Sequence, residues 1–89
     1  MSDTLMWEVR AAPGKQQELL AWVETTAVPA LTATDGLAAA DVYLGGQDRV
    51  VVIARWGDAT PARLPDPPED LLARPTSQWP FRHHRRVAP

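Results

Sequence analysis

The sequence contains no cysteine. That excludes a disulfide framework, a thiolate nucleophile and any zinc or iron–sulfur site built on sulfur. Long apolar runs are missing as well. No stretch reaches the ~18 residues of a membrane span, so a soluble chain with no membrane partner is expected. The opening residues MSDTLMWEV lack a basic segment followed by an apolar core, which makes the cytoplasm the expected compartment. Nor is there an excess of positive charge. Nine Lys and Arg against eleven Asp and Glu leave a net charge of −2, so nucleic acid is not an expected partner. The chain has no P-loop, no G-x-G-x-x-G and no G-x-S-x-G, and neither a nucleotide cofactor nor a Ser-His-Asp hydrolase is indicated.

What is present is a single small domain of 89 residues, 45% hydrophobic, with four tryptophans, one tyrosine and one phenylalanine. A chain of this length hides only about 60% of its unfolded surface on folding, so a partner subunit would add to a marginal core.

Residues 4–10, TLMWEVR, alternate: Leu5, Trp7 and Val9 fall on one side and Met6, Glu8 and Arg10 on the other, which predicts a strand. APG at 12–14 stops it. KQQELLAWVETTAV then places Leu19, Leu20, Val23, Ala27, Val28 and Leu31 near helical spacing, with Trp22 edging the same face. Pro29 predicts a kink or restart at Val28, and Asp35-Gly36 ends the helix. LAAADVYL (37–44), GGQD and RVVVIARW (49–56) read as an antiparallel hairpin. Its second strand is apolar on both faces and must be covered on both. The stretch GDATPARLPDPPEDLLARP carries prolines at 61, 65, 67, 68 and 75, which allow only a short helix. Asp66 is its expected cap, Pro67 or Pro68 its first turn, and Leu71 and Leu72 its apolar side. SQWPFRHHRRV alternates again and predicts a fourth strand, which Pro80 confines to an edge or a bulge.

The order is β-α-β-β-α-β. It predicts an α+β, ferredoxin-like fold over residues 1–89, a four-stranded antiparallel sheet with its helices on one face. The other face is left open, and packing of two subunits sheet on sheet is expected to cover it.

Three segments, VRAAPGKQQELLAWV, DGLAAADVYL and RVVVIARW, resemble the antibiotic biosynthesis monooxygenase (ABM) family of the dimeric α+β-barrel superfamily. They match a strand, PGK and helix, a glycine before strand two, and a strand three ending in tryptophan. The likeness runs over nearly the whole chain. It implies a homodimer with a pocket between sheet and helices. It also implies a cofactor-independent monooxygenase acting on an aromatic polyketide-type or other small hydrophobic molecule, with neither metal nor cofactor. Trp56 stands where the family's active-site tryptophan recurs. The haem-degrading branch adds an asparagine on strand one and a histidine in the second helix; this chain has no asparagine and no histidine in 58–75, so haem degradation is not implied. A non-catalytic dimeric ligand-binding or pathway-accessory domain, and a polyketide cyclase of the same fold, are the alternatives.

Sorting the strands by polarity puts Leu5, Trp7, Val9, Val42, Leu44, Val50, Val52, Ala54, Trp56, Trp79, Phe81, His83 and Arg85 on one face. A flat ligand needs such a ring-lined cavity with a few polar groups. Trp7, Trp79, Phe81 and Tyr43 are the substrate-binding candidates, although core packing is the first explanation of Trp7 and Trp79 and strand packing that of Tyr43, while core and pocket roles stand even for Trp56. His83 is the candidate base for a phenolic proton, Arg85 the cation for the resulting oxyanion, and Trp56 the third catalytic candidate. His83 and His84 point to opposite sides of a strand, so no metal site is expected. Arg82, His84 and Arg86 read as a solvated stripe. The opposite face would carry Glu8, Arg10, Asp41, Tyr43 and Arg55 beside Val51 and Ile53, with Glu8 paired to Arg55 or Arg10 and Asp41 to an arginine.

Overall fold

The four expected strands all form, the last of them only over the first five residues of the 77–87 stretch. In the computed structural model, which describes residues 2–57 and 61–89, β1 (Thr4–Arg10), β2 (Leu37–Gly45), β3 (Arg49–Trp56) and β4 (Ser77–Phe81) form one antiparallel sheet in the order β2-β3-β1-β4. The fold is α+β, and this strand order is compatible with the ferredoxin-like arrangement.

One helical rod covers one face of the sheet. It begins as α1 (Gln16–Trp22), widens into a π-helical turn (Val23–Ala27) and continues as α2 (Val28–Thr32). The cause is Pro29. It has no N–H for the Thr25 carbonyl, and its ring would press on that carbonyl in a regular α-helix. The widened turn lies just before the proline and takes up the misfit, so the expected restart at Val28 occurs without a break in the rod. Leu19, Val23, Ala27 and Leu31, each four residues apart, form the buried stripe of the rod. They lie in one core with Leu5, Trp7, Val9, Val50, Val52, Ala54 and Trp56 from the sheet. Trp22 edges this stripe as expected and stacks on Trp7, with ring centroids 6.5 Å apart and planes 20° from parallel. After the rod, Gly36 takes φ +79°, a left-handed conformation that suits glycine, and its carbonyl receives the Gly57 N–H at 2.9 Å.

The expected second helix shrinks to a single 3₁₀ turn, Glu69–Leu71. Pro65, Pro67 and Pro68 each lack an N–H donor, and Pro68 holds ψ 138°, so the chain arrives extended and Asp66 forms no cap. The segment instead straps across the end of β1. Ala12 donates to the Leu71 carbonyl at 2.8 Å, Ala73 donates to the Arg10 carbonyl at 2.9 Å, and Ala11 and Leu72 form an isolated bridge. Leu64 and Leu71, both buried, close the core on this side.

The molecule is only 18 Å across in its thinnest direction, about the depth of one sheet and one helix layer. Nothing among the described residues covers the second face. No helix among the described residues is long and apolar enough to cross a membrane.

Candidate functional site

Residues paired across neighbouring antiparallel strands share a face, so the register assigns every side chain to the helix side or the open side. Trp7 pairs with Val52, Leu5 with Ala54, Val42 with Val52 and Leu44 with Val50, which places these on the helix side with Trp56, as expected. The open face consists of three rows and, beyond the end of β4, a fourth of Arg10, Arg49 and Gly45. The first holds Phe81, Thr4, Arg55 and Ala39; the second Trp79, Met6, Ile53 and Asp41; the third Ser77, Glu8, Val51 and Tyr43.

Trp79 and Phe81 therefore lie opposite to the face assigned from polarity, and the helix side of β4 carries Gln78 and Pro80 instead. A shift of one residue flips a whole strand. Two contacts favour the observed register. The Gln78 side chain turns inward, where its amide donates to the Leu64 carbonyl at 2.9 Å and accepts the Leu64 N–H at 3.0 Å. Pro80, without an N–H, fits the outer strand of the sheet.

The catalytic candidates are not brought together. Trp56 is buried in the helix-side core, where its indole N–H donates to Thr34 Oγ1 at 2.9 Å and the Thr34 hydroxyl donates to the Leu31 carbonyl at 2.6 Å. His83 lies beyond β4, which ends at Phe81, and lines a hollow at the end of the open face. The sheet stands between them. Arg85 lies in the exposed tail and does not line that hollow; Arg86 does. Strand alternation does not reach these residues, so sequence reasoning chose Arg85 where the fold brings Arg86.

Of the substrate-binding candidates, Trp7 is fully buried against Trp22, and its indole nitrogen has no hydrogen-bond partner. Tyr43, Trp79 and Phe81 stand on the open face, 51%, 42% and 50% exposed, beside Ile53 at 37%. They form an apolar surface rather than a cavity.

The ion pairs also differ from expectation. Glu8 pairs with Arg49 at 3.2 Å and Arg10 with Asp48 at 3.3 Å, while Asp41 and Arg55 enter no ion pair among the described residues. Arg10 and Arg49 face each other directly across β1 and β3, and each is neutralised by a nearby carboxylate. The Glu8–Arg49 contact is an ion pair only, since the Arg49 Nε–H is not aligned for a hydrogen bond.

Two hollows have chemistry to offer. One, of about 440 Å³, opens on the helix side between β4 and residues 61–63. Leu5, Ala62, Pro61 and Pro80 make its apolar wall, and Arg63 and Gln78 supply polar groups. The other, of about 210 Å³, is the hollow on the open face that contains His83. Beside it, the Asp3 carboxylate accepts the His83 backbone N–H at 2.8 Å and the Thr4 hydroxyl at 3.0 Å. The His83 N–H is the main cause that holds the Asp3 carboxyl below its ordinary value, with smaller help from Thr4 and the His83 charge against a partial desolvation that acts the other way. Among the described residues no group of three or more His, Cys, Asp or Glu could hold a metal ion.

Comparison of the chain with family models, curated proteins and solved structures finds no match in any of the three.

Proposed function

We propose that the chain is a homodimeric binding domain for a small hydrophobic or aromatic molecule, with two sheets packed face to face and the ligand in the helix-side hollow of each subunit. The observation that carries this reading is the open face, where Tyr43, Ile53, Trp79 and Phe81 all stand exposed on the side of the sheet that no helix among the described residues covers. An apolar sheet face of this kind marks an interaction surface. Strands ~4.8 Å apart rising ~3.3 Å per residue give it several hundred Å², so a standard interface, roughly 800 Å² from each partner, would engage most of it and leave the end near the tail at its rim. The likeness of the sequence to the ABM family supports the same dimer. The helix-side hollow, apolar with Arg63 and Gln78 at its wall, has the size and lining of a small-molecule site.

Binding is placed ahead of catalysis for a geometric reason. Cofactor-independent oxygenation, and a cyclase reaction by the same residues, require His83 and Trp56 at one substrate, and the sheet separates them.

Sedimentation at micromolar concentration and thermal shift with anthrone-like phenols test both parts. The expected results are a wild-type dimer, a monomeric Ile53→Lys/Trp79→Ser variant, and a ligand-induced rise in Tm without O₂ consumption that Ala62→Trp abolishes by filling the hollow. A wild-type monomer would sink the dimer. O₂-dependent turnover lost in His83→Ala would replace the binding reading with the oxygenase one.

A further inference from the structure

We infer that the hollow at the end of the open face is a site for a small oxyanion, a carboxylate or phosphate group, held by Arg55 and Arg86. Four side chains meet there from three parts of the chain: Asp41 on β2, Ile53 and Arg55 on β3, and Arg86 in the tail, with Thr4 and His83 completing the wall. The tail is held in place by two bonds. Asp3 N–H donates to the Phe81 carbonyl at 3.0 Å, and the Asp3 carboxylate takes the His83 N–H at 2.8 Å.

Two arginines outside any ion pair among the described residues point to an anion. Arg55 is half-buried in a central strand, and the ion pairs among the described residues employ Arg10, Lys15 and Arg49 but neither Arg55 nor Arg86. A partly desolvated guanidinium without a carboxylate is unfavourable, and its planar fork of donors fits the two oxygens of a carboxylate or phosphate. Asp41 lines the same hollow and the Asp3 carboxylate lies beside it, turned to the His83 N–H and the Thr4 hydroxyl, so an anion would be held by the directed donors of the two guanidiniums rather than by excess positive charge. The Thr4 proton is already committed to Asp3 at 3.0 Å, which leaves the arginines and His83 as the donors. At about 210 Å³ the hollow suits an anionic group and not a polycyclic molecule. Phe81, half-exposed and directly across from Thr4, offers a ring for an aromatic acid to lie against.

This site lies across the sheet from the helix-side hollow, so it stands or falls separately from the hydrophobic ligand. It spans the first two rows of the open face, Thr4, Ala39 and Arg55 in one and Asp41 and Ile53 in the next, at the end of the sheet where the tail leaves β4.

The test is titration of the whole protein with benzoate, acetate and inorganic phosphate at constant ionic strength, with chloride as the control anion, followed through the backbone amide resonances of Ile53, Arg55 and His83. Saturable shifts at these amides are expected. Affinity should fall about tenfold in Arg55→Gln and in Arg86→Gln, the effect of losing one charge-assisted hydrogen bond, and stay unchanged in Arg74→Gln. Saturation by benzoate and acetate assigns a carboxylate, and by phosphate alone a phosphate group. Equal shifts with chloride, or wild-type affinity in Arg55→Gln, would overturn the inference.

Discussion

Gln78 holds Leu64 by both ends of its amide, with Nε2 donating to the Leu64 carbonyl at 2.9 Å and Oε1 accepting the Leu64 N–H at 3.0 Å. The pair copies a strand ladder where residues 61–68 have no secondary structure of their own. It also seals buried Leu64 over the edge of the core. Gln78→Leu strands both backbone groups of Leu64 in a partly buried place. A loss of about 1–3 kcal/mol is expected, and for a domain of this size each kcal/mol lowers Tm by roughly 4–8 °C. Gln78→Glu keeps the acceptor but sets a carboxylate against a carbonyl, so it should also destabilise. Thermal denaturation decides; a Gln78→Leu protein as stable as wild type would show that the clamp contributes nothing.

Trp56 is a buried core residue, and Thr34 makes its structural role testable. The indole N–H, the Thr34 hydroxyl and the Leu31 carbonyl form one chain that ties the end of β3 to the end of the helical rod. Thr34→Ala orphans the buried indole donor and should cost about 1–3 kcal/mol, whereas Thr34→Ser should remain close to wild type. In a Trp56→Phe background the donor is gone, and Thr34→Ala should then cost much less. A coupling near zero in this double-mutant cycle would remove the hydrogen bond from the account. If Trp56→Phe instead leaves Tm unchanged and abolishes the ligand-induced shift, the tryptophan belongs to a binding site after all.

The behaviour of Gln78 and Trp56 shows where reading from sequence succeeds and where it stops. Strands β1, β2 and β3 were legible because each carries its own alternation, and the faces assigned to Leu5, Trp7, Val9, Val42, Leu44, Tyr43 and Val51 agree with the register. The helical stripe of Leu19, Val23, Ala27 and Leu31 was legible for the same reason. Strand β4 was not. Trp79 and Phe81 look like core residues, but its register follows Gln78, a polar residue whose partner lies in a proline-rich stretch with no periodicity. The short second helix failed because three prolines within four positions, 65, 67 and 68, remove donors faster than Leu71 and Leu72 can repay the loss. The ion pairs failed because Arg10 faces Arg49, a juxtaposition that only cross-strand register reveals. The candidate site suffered most, since His83 and Arg85 were placed by extending an alternation past the end of the strand at Phe81.

The tether of the tail gives a pH dependence whose sign follows from Asp3. Its carboxyl lies below the ordinary value of 3.8, chiefly because the anion accepts the His83 N–H. A carboxyl depressed in the folded state contributes stability that is fully present above its unfolded pKa and is lost as pH falls through the lower, folded value. The contact should therefore hold at neutral and mildly acidic pH and release only in strong acid. Because the carboxylate is exposed, the effect is local: the His83 amide resonance should move upfield below the ordinary carboxyl range while the core amides of Val50 and Val52 stay in place. Asp3→Asn keeps a carbonyl acceptor but loses the charge, and should weaken the bond at every pH and flatten the titration. It should also weaken oxyanion binding if the tether positions Arg86, an outcome that Asp3→Asn would share with Arg86→Gln but not with Arg74→Gln. A His83 amide that titrates identically in wild type and Asp3→Asn would mean that some other carboxylate governs the tail.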